Sequence, residues 1–423
     1  MIFNPKLDQK VQVWYRKELS NLPLHGQHGF VFAVSKNRPK NIGVCINKRR
    51  YVVPCGNLRQ IRDANGKTPA KRTAAEKRWH ENIQNGQVQK RFDALSERQQ
   101  LSLEDKIRLS QKRIREWYDA FDGAVAVSYS GGKDSAVLLW LARSVFPDIP
   151  AVFVNTGLEY PELVEQVKQT PNTVFIKPKM SFYSVVRTYG YPVISKKVAR
   201  GISILRHPTA ANKNIYRLYD QGINRFGEKV SGYQVPRRWR FLVDSPFEIS
   251  DSCCRVMKKD PMHAYSRRTG NMMFVGILAE DSKQRQKTYL RRGCNDFDAK
   301  TPSSWPMAFW TRQDVLTCIQ KAKIKIPSVY GDIITDKRTG ELTTTGLGTT
   351  GCMFCAFGIQ MERNPNRFQQ MRETHPALWR YINDKLNLGY LFEYIRGHCP
   401  DRKVASKFHT KPMPVEEQLR LFV

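Results

Sequence analysis

Six consecutive residues, Ser130-Gly131-Gly132-Lys133-Asp134-Ser135, follow the apolar run "AVAVSY" and open the segment "AVLLWLARSVF". A glycine pair between a strand and a helix lets the backbone approach an anion with no Cβ in the way. The helix start then turns free N–H groups toward that anion. Ser130 and Ser135 add hydroxyl donors, and Asp134 is a candidate magnesium ligand. The spacing is not the G-x4-G-K-[ST] of a Walker loop, so Lys133 does not inherit that lysine's role. A bare Gly-Gly would read as an ordinary tight turn; the full six-residue pattern at a strand end reads as a phosphate loop.

The second chemical signal is cysteine. "DSCCRVMKKDPM" sets Cys253 beside Cys254, and "GTTGCMFCAFG" gives Cys352-x-x-Cys355, with Cys352 98 positions after Cys254. A CxxC in a turn flanked by Gly351 and Gly358 lets two thiolates reach one metal. With the tandem pair it makes a four-ligand set, more specific than either motif alone. The bland alternative is four small buried hydrophobes. Cys294, in "RRGCND", is a substitute ligand, a reactive thiol or a structural residue, and Cys45, Cys55 and Cys318 are given no role. Nine cysteines, an odd number, fit a reducing compartment better than a disulfide framework.

These residues need a scaffold. After Asp122-Gly123 the chain alternates a short apolar strand, a helix, the strand "AVFVNTG", a helix from Glu159 and the strand "NTVFIKP". Continuous apolar strands separated by helices predict an α/β fold with a parallel sheet covered on both faces. Ligands then belong at the carboxyl ends of the strands, where "YSGGKDS" and "NTGLEY" fall, so Asn155 and Gly157 join the candidate cofactor-binding residues. Ahead of the first strand a helical period begins with Ser102 as N-cap and Asp105 three residues on, its apolar side made of Ile107, Leu109, Ile114, Trp117 and Tyr118.

The predicted domains are residues 1–100, a small basic α+β extension; 101–330, the nucleotide-binding α/β domain; and 331–423, a helical C-terminal region carrying the CxxC. Within the extension, "GFVFAVSKNRPKNIGVCINKRRYVVPCG" alternates like a β-hairpin or ribbon, and "TPAKRTAAEKRWHENIQNGQVQKRFDALSERQQ" is helical and heavily charged. Residues 200–250 show few regular periods and read as an insertion over the open edge of the sheet. In the C-terminal region one helix is expected to pack by Phe368, Met371, Leu378 and Trp379.

Charge sets the expected partner. Seventy Lys and Arg against 38 Asp and Glu give +32, and residues 1–100 carry 20 basic against 7 acidic side chains. Such an excess suits docking on a polyphosphate backbone, where counterion release supplies much of the affinity. The candidate nucleic-acid contacts are Lys196, Lys197 and Arg200 in "SKKVAR", Arg237, Arg238 and Arg240 in "VPRRWR", and Arg291 with Arg292. Tyr233 and Trp239 are candidate stacking platforms. "MIFNPKLDQKVQVWYRK" is polar from its seventh residue, and no apolar run approaches the roughly 20 residues of a membrane span. A cytoplasmic protein with no membrane partner is therefore expected.

"SGGKDS" resembles the PP-loop of the ATP pyrophosphatase superfamily, whose adenine nucleotide alpha hydrolase-like members cleave ATP between the α- and β-phosphates. The resemblance implies that Ser130, Gly131, Gly132, Lys133, Asp134 and Ser135 grip the departing pyrophosphate, with Lys133 and Asp134 catalytic and Mg2+ as companion ion. "CCRVMKKDP", "GILAEDSKQRQ" and "VFVNTGLEYPE" resemble the phosphoadenylyl-sulfate (PAPS) reductase branch over about residues 123–360. In that branch a CC…CxxC set binds a [4Fe–4S] cluster, which Cys253, Cys254, Cys352 and Cys355 would hold here; zinc is the alternative metal.

Two departures from the reductases shape the expected function. Their nucleophilic cysteine lies in a Glu-Cys-Gly-Leu-His setting near the C-terminus, whereas this chain offers only Cys399, in "YIRGHCPDRK", with His398 and Arg402 beside it to lower its pKa. Their loops have also drifted, whereas this one is intact, which points to ATP consumption. The resulting expectation is an enzyme that adenylates and thiolates a tRNA or DNA, helped by a sulfur-donor protein or a separate regulatory partner. A PAPS or adenylyl-sulfate reductase is one alternative, and a non-enzymatic, nucleotide-sensing regulator that binds nucleic acid is the other.

Overall fold

Side chains alternate in direction along Val125-Ala126-Val127, and because all three are apolar both faces of this strand are buried, with the rest of the domain organised around it. In the computed structural model, residues 85–410 other than 300 are described in full, and within the first 84 residues the backbone of five strands is described. The chain divides into two compact units, Met1–Ala74 with Pro208–Gln234, and Ala75–His207 with Val235–Val423.

The first unit contains β1 (Lys10–Val13), β2 (His28–Val34), β3 (Asn41–Ile46), β4 (Arg49–Pro54) and β5 (Leu58–Gln60). They form an antiparallel sheet in the order β4-β3-β2-β1-β5, with an irregularity between Val31 and Ala33. The expected hairpin is the β2-β3-β4 part of this larger sheet. The same unit holds the helix Lys213–Gln221, which ends on Gly222. In the charged stretch expected to be helical, Gln87–Gln100 is a helix of the second unit and residues 68–84 lie outside the described residues.

The second unit is built on β6 (Val125–Ser128), β7 (Ala151–Val154), β8 (Thr173–Ile176), β9 (Val193–Ile194), β10 (Met272–Val275), β11 (Asn295–Asp296) and β12 (Ser303–Ser304). All but β9 form one sheet, in the order β11-β12-β10-β6-β7-β8, parallel except for β11. Val125 and Val127 face a core containing Leu138, Trp117, Trp310 and Val315 from the helices Lys133–Arg143, Leu103–Ala120 and Arg312–Lys321. Ala126 faces the opposite way, against Tyr265 of the helix Asp260–Thr269. Helices thus cover both faces, as continuous apolar strands require.

Helix boundaries follow local chemistry. Ser102 caps Leu103–Ala120 by accepting from the Asp105 N–H at 3.1 Å. The helix expected from Glu159 begins instead at Pro161, whose fixed φ suits a first helical position. The chain runs β6-β7-β8 outward and then returns to place β10 on the other side of β6. That reversal leaves a crevice at the carboxyl ends of β6 and β10, the usual ligand position in such sheets. In the C-terminal region Phe368 and Met371 are buried as expected, and Leu378 and Trp379 are half-buried, with the Trp379 indole donating to the Thr410 carbonyl at 2.8 Å.

Candidate active site

The glycine loop sits at that crevice. Gly131 has φ +75°, and a Cβ there would stand 2.9 Å from Val167 Cγ2 and 3.1 Å from the Leu163 carbonyl, so both conformation and space demand glycine. A Cβ on Gly132 would approach the Tyr330 hydroxyl to 3.1 Å. Gly132 precedes the helix Lys133–Arg143 with no side chain capping its first turn. Ser135 braces the loop from within: its hydroxyl donates to the Gly132 carbonyl at 2.8 Å, accepts from the Ser130 N–H at 3.2 Å and lies 3.0 Å from Ser130 Oγ. The Tyr330 hydroxyl accepts from the Lys133 N–H at 3.3 Å and lies 2.6 Å from Thr350 Oγ1. The helix's free N–H groups and dipole suit an anion held against this turn.

Lys133 is buried, and its ammonium lies 3.2 Å from Asp134 Oδ1. It lines a cavity of about 550 Å³ together with Tyr160, Arg312, Thr350, Cys352 and Arg367. The lysine of the phosphate loop and the first thiol of the CxxC therefore face the same space, with arginines around it. Arg367 is held in place by an ion pair to Glu362 and by donating to the Phe357 carbonyl at 2.7 Å. Asn155 and Gly157 do not line this cavity; the Asn155 side chain accepts from the Gly157 N–H at 3.2 Å and shapes the turn after β7.

The cysteines come together by tertiary pairing. β13 (Ala356–Phe357) pairs in parallel with β9, and the Met353 N–H donates to the Leu158 carbonyl at 2.8 Å. The CxxC is thereby tied both to "NTGLEY" and to the start of the helix Lys196–Arg206. Cys253 donates to Cys254, and this bond holds the Cys254 thiol below its ordinary pKa, helped by Lys196 and Lys258 against the effect of burial. Cys253 is correspondingly raised, and burial pushes Cys352 up to about 11 and Cys355 upward as well. Lys258 hydrogen-bonds Cys352 and lies 3.3 Å from Glu159 Oε1. Burial works against its charge, but Cys352 and Glu159 hold its pKa above the ordinary lysine value. Glu159, itself buried, accepts from the Thr156 N–H at 3.0 Å and the Thr156 hydroxyl at 2.8 Å.

Four thiols flanked by two ammonium groups are a donor set suited to a thiolate-bound metal centre. Among the described residues no group of three or more His, Cys, Asp or Glu side chains converges closely enough to hold a single metal ion.

The other sequence candidates are dispersed. Lys196 stands beside the cysteines, while Lys197 and Arg200 are exposed on the same helix, which packs against the 3-10 segment Arg237–Asp244. On that segment Arg237 is exposed, Arg238 pairs with Asp401 at 3.5 Å, and Arg240 is half-buried. Trp239 is 2% exposed and packs against Phe241 and Phe408, which corrects its expected role as a stacking platform. Tyr233 is exposed and belongs to the other unit. Arg291 and Arg292 lie elsewhere, on the helix Lys283–Arg292 that packs against Gln87–Gln100, and Arg292 pairs with Asp296 at 2.9 Å. Cys399 is 2% exposed and absent from the cavity lining, with Sγ 3.6 Å from the Asp401 carbonyl. Burial raises its pKa, outweighing Arg238 and Arg402.

Sequence reasoning missed Glu159, Lys258, Arg312, Tyr330, Thr350 and Arg367. Glu159 and Lys258 sit inside motifs already singled out, where a charged residue near a strand end or a thiol pair is the available signal. Nothing local marks Tyr330 or Thr350, whose role comes from tertiary approach to the loop.

Residues 124–189 and 224–356 match the phosphoadenosine phosphosulfate reductase domain model. Two uncharacterized proteins of Methanocaldococcus jannaschii are similar to the chain. One is 24% identical over 65% of this chain and 45% of the relative, the other 32% identical over 68% and 55%. The chain thus spans about half the length of the curated relatives it matches. A crystal structure of phosphoadenylyl-sulfate (PAPS) reductase from Candida auris, in a phosphate complex, is 14% identical, covering 57% of this chain and 98% of that one at a TM-score of 0.30. Among the described residues, no helix is long and apolar enough to cross a membrane.

Proposed function

We propose that this chain, which belongs to the phosphoadenosine phosphosulfate reductase domain family through residues 124–189 and 224–356, adenylates and then thiolates a nucleic acid at the expense of ATP. The family is one of nucleotide-binding, sulfur-related enzymes of the PP-loop type. The observation that carries the finer reading is the shared cavity, lined at once by Lys133 of the glycine loop and by Cys352.

In the proposed reaction an oxygen of the substrate attacks the α-phosphorus of ATP, the bond to the bridging oxygen breaks, and pyrophosphate leaves with the electron pair. The N–H groups at the start of Lys133–Arg143 and the Lys133 ammonium stabilise the charge growing on that leaving group, as donors fixed in advance of the reaction do. Asp134 would hold Mg2+ on the phosphates. Arg312 and Arg367, which line the same cavity, would hold the remaining phosphate oxygens. Hydrosulfide released by a donor protein then attacks the adenylated carbon, AMP departs with the C–O electrons, and the sulfhydryl proton passes to water to leave the thiolated product.

Cys253, Cys254, Cys352 and Cys355 would hold a [4Fe–4S] cluster, which when bound supplies a soft, redox-capable anchor beside the reaction space. A cluster of this kind takes four cysteine ligands, the number that the tandem pair and the CxxC together supply. Lys196 and Lys258 would offset the negative charge of such a thiolate-bound centre.

The test is anaerobic turnover of α-labelled ATP by iron-replete protein, with and without bulk tRNA or DNA. The expected result is AMP and pyrophosphate with one nucleic acid only; no AMP under any condition overturns the reading. The second reading, a PAPS or adenylyl-sulfate reductase, is favoured by the family match and predicts sulfite from thioredoxin and a sulfonucleotide. The burial of Cys399 weighs against it, since an attacking thiol must be reachable and ionised.

A further inference from the structure

The reaction cavity has a buried part and a solvent-facing part. Lys133 is 5% exposed, whereas Gly348, Thr349, Gly351 and Arg363, which line the same cavity, are exposed. Lys133 and the glycine loop are taken up by the triphosphate in the reaction above. The exposed residues have no part in it, and all of them bring hydrogen-bond donors. Three arginines line the cavity, and they differ in how they are held. The Arg312 guanidinium lies 3.9 Å from Glu280 and 3.6 Å from Asp281, and Arg367 pairs with Glu362. Among the described residues, no carboxylate pairs with Arg363.

The backbone on which these donors stand is fixed. On one side of Arg363, Glu362 accepts from the Arg367 N–H at 2.9 Å. On the other, buried Asn366 donates to the Lys407 and His409 carbonyls at 3.1 and 2.9 Å. In the glycine- and threonine-rich stretch, the Gly346 N–H donates to the Tyr330 carbonyl at 2.8 Å and the Leu347 N–H to the Val329 carbonyl at 3.0 Å. Thr350 is held by the Tyr330 hydroxyl, as described above. Among the described residues, no protein acceptor meets the N–H groups of Gly348, Thr349 or Gly351. A Cβ on Gly348 or Gly351 would meet no atom within 4 Å, so both stand at open space.

We infer that Arg363 and the free N–H groups of residues 348–351 form a subsite for a phosphodiester of the nucleic acid, next to the nucleotide being modified. Most exposed arginines are solvated surface charge and nothing more. This one lines the reaction cavity, on an anchored turn, with its charge unmatched by a carboxylate. Free N–H groups along a turn and a guanidinium in the same cavity suit an oxyanion. A polymer too large to enter can reach the cavity only where it faces solvent. A phosphate gripped there sets the register of the strand without reading its sequence. The inference rests on the nucleic-acid reading above and adds where the acceptor is held.

The test begins with phenylglyoxal labelling of the whole protein, read arginine by arginine by peptide mass spectrometry, with ATP alone and with bulk tRNA or mixed-sequence DNA. Arg363 is expected to keep its label with ATP alone and to lose it when the nucleic acid is bound. In turnover, Arg363→Gln is expected to raise KM for the nucleic acid about tenfold, the worth of one charge-assisted hydrogen bond, with kcat and KM for ATP unchanged. Arg363→Lys should recover part of that loss, because lysine keeps the charge but not the two-oxygen grip. Arg380→Gln, at an exposed arginine outside the cavity lining, controls for the loss of one bulk charge and should change none of these. Matching melting curves verify that the variants fold.

Loss of the Arg363 label with ATP alone, a raised KM for ATP, or Arg363→Gln indistinguishable from Arg380→Gln overturns the inference and leaves adenylation standing. Labelling does not depend on turnover, which separates the two proposals. Shielding of Arg363 by nucleic acid in a protein that forms no AMP keeps the subsite and removes adenylation. A protein that forms no AMP and keeps the Arg363 label with either polymer overturns both.

Discussion

The glycine loop and the cysteine pocket meet at one cavity but are built by opposite means. The loop is finished by its own hydrogen bonds: Ser135 closes on Gly132 and Ser130, and Tyr330 with Thr350 holds it from behind. The pocket draws on four separate stretches of chain, and burial keeps Cys352 and Cys355 protonated beside two charged lysines. Glu159 pairs with Lys258 there, and Cys254 is the thiol held below its ordinary pKa. A loop of the first kind offers a fixed mould for an anion. A pocket of the second kind exists only once distant segments have packed.

The strongest way to break the comparison is to remove one side and ask whether the other survives. Lys133→Ala is expected to lower AMP formation by about 100- to 1000-fold, the usual loss when one preorganised charge is withdrawn from a developing anion. Bound iron, measured on the same sample, should be unchanged. Cys352→Ser should give the converse, with loss of iron and of thiolated product but AMP formation within about threefold of the unaltered protein, well under one preorganised donor's effect. If Cys352→Ser abolishes AMP formation as well, the two regions are one machine and the contrast fails.

Smaller changes sharpen it. Gly131→Ala places a Cβ against Val167 and the Leu163 carbonyl at positive φ and should cost about 1–3 kcal/mol in denaturant unfolding. Tyr330→Phe removes the acceptor for the Lys133 N–H and should cost about 1 kcal/mol.

The last effect is confined to high pH and concerns thiols outside the pocket. Burial pushes Cys294 and Cys318 up to about 11 from an ordinary 9.0. A raised folded-state value means that the folded chain holds those protons longer, so their contribution is complete below about pH 9 and is lost as pH rises toward 11. Melting temperature should therefore fall over that range, and the fall should be shallower in Cys294→Ala/Cys318→Ala.

Much of the loop could be read locally. Apolar strand, Ser-Gly-Gly and helix are neighbours in sequence, and the predicted β-α-β-α-β order is the one observed, as is the Ser102 cap. The buried position of Trp239 could not be read, because "VPRRWR" looks the same whether its indole faces Phe408 or a base. Cys399 poses the same problem: the neighbouring His398 and Arg402 suggested an activated thiol, yet the packing of the C-terminal helices decides its burial. The pairing of β9 with β13 joins segments more than a hundred residues apart, and two-residue strands leave no periodicity to find. The place of Lys196 beside the cysteines follows from that pairing, so the sequence marked it only as a candidate nucleic-acid contact.

The parallel join of Val193–Ile194 to Ala356–Phe357 also imposes a schedule on biosynthesis. Cys253 and Cys254 leave the ribosome 98 residues ahead of Cys352. At ordinary rates of chain growth that gap lasts about 5–20 s, a window in which the tandem thiols stand without the CxxC beside them.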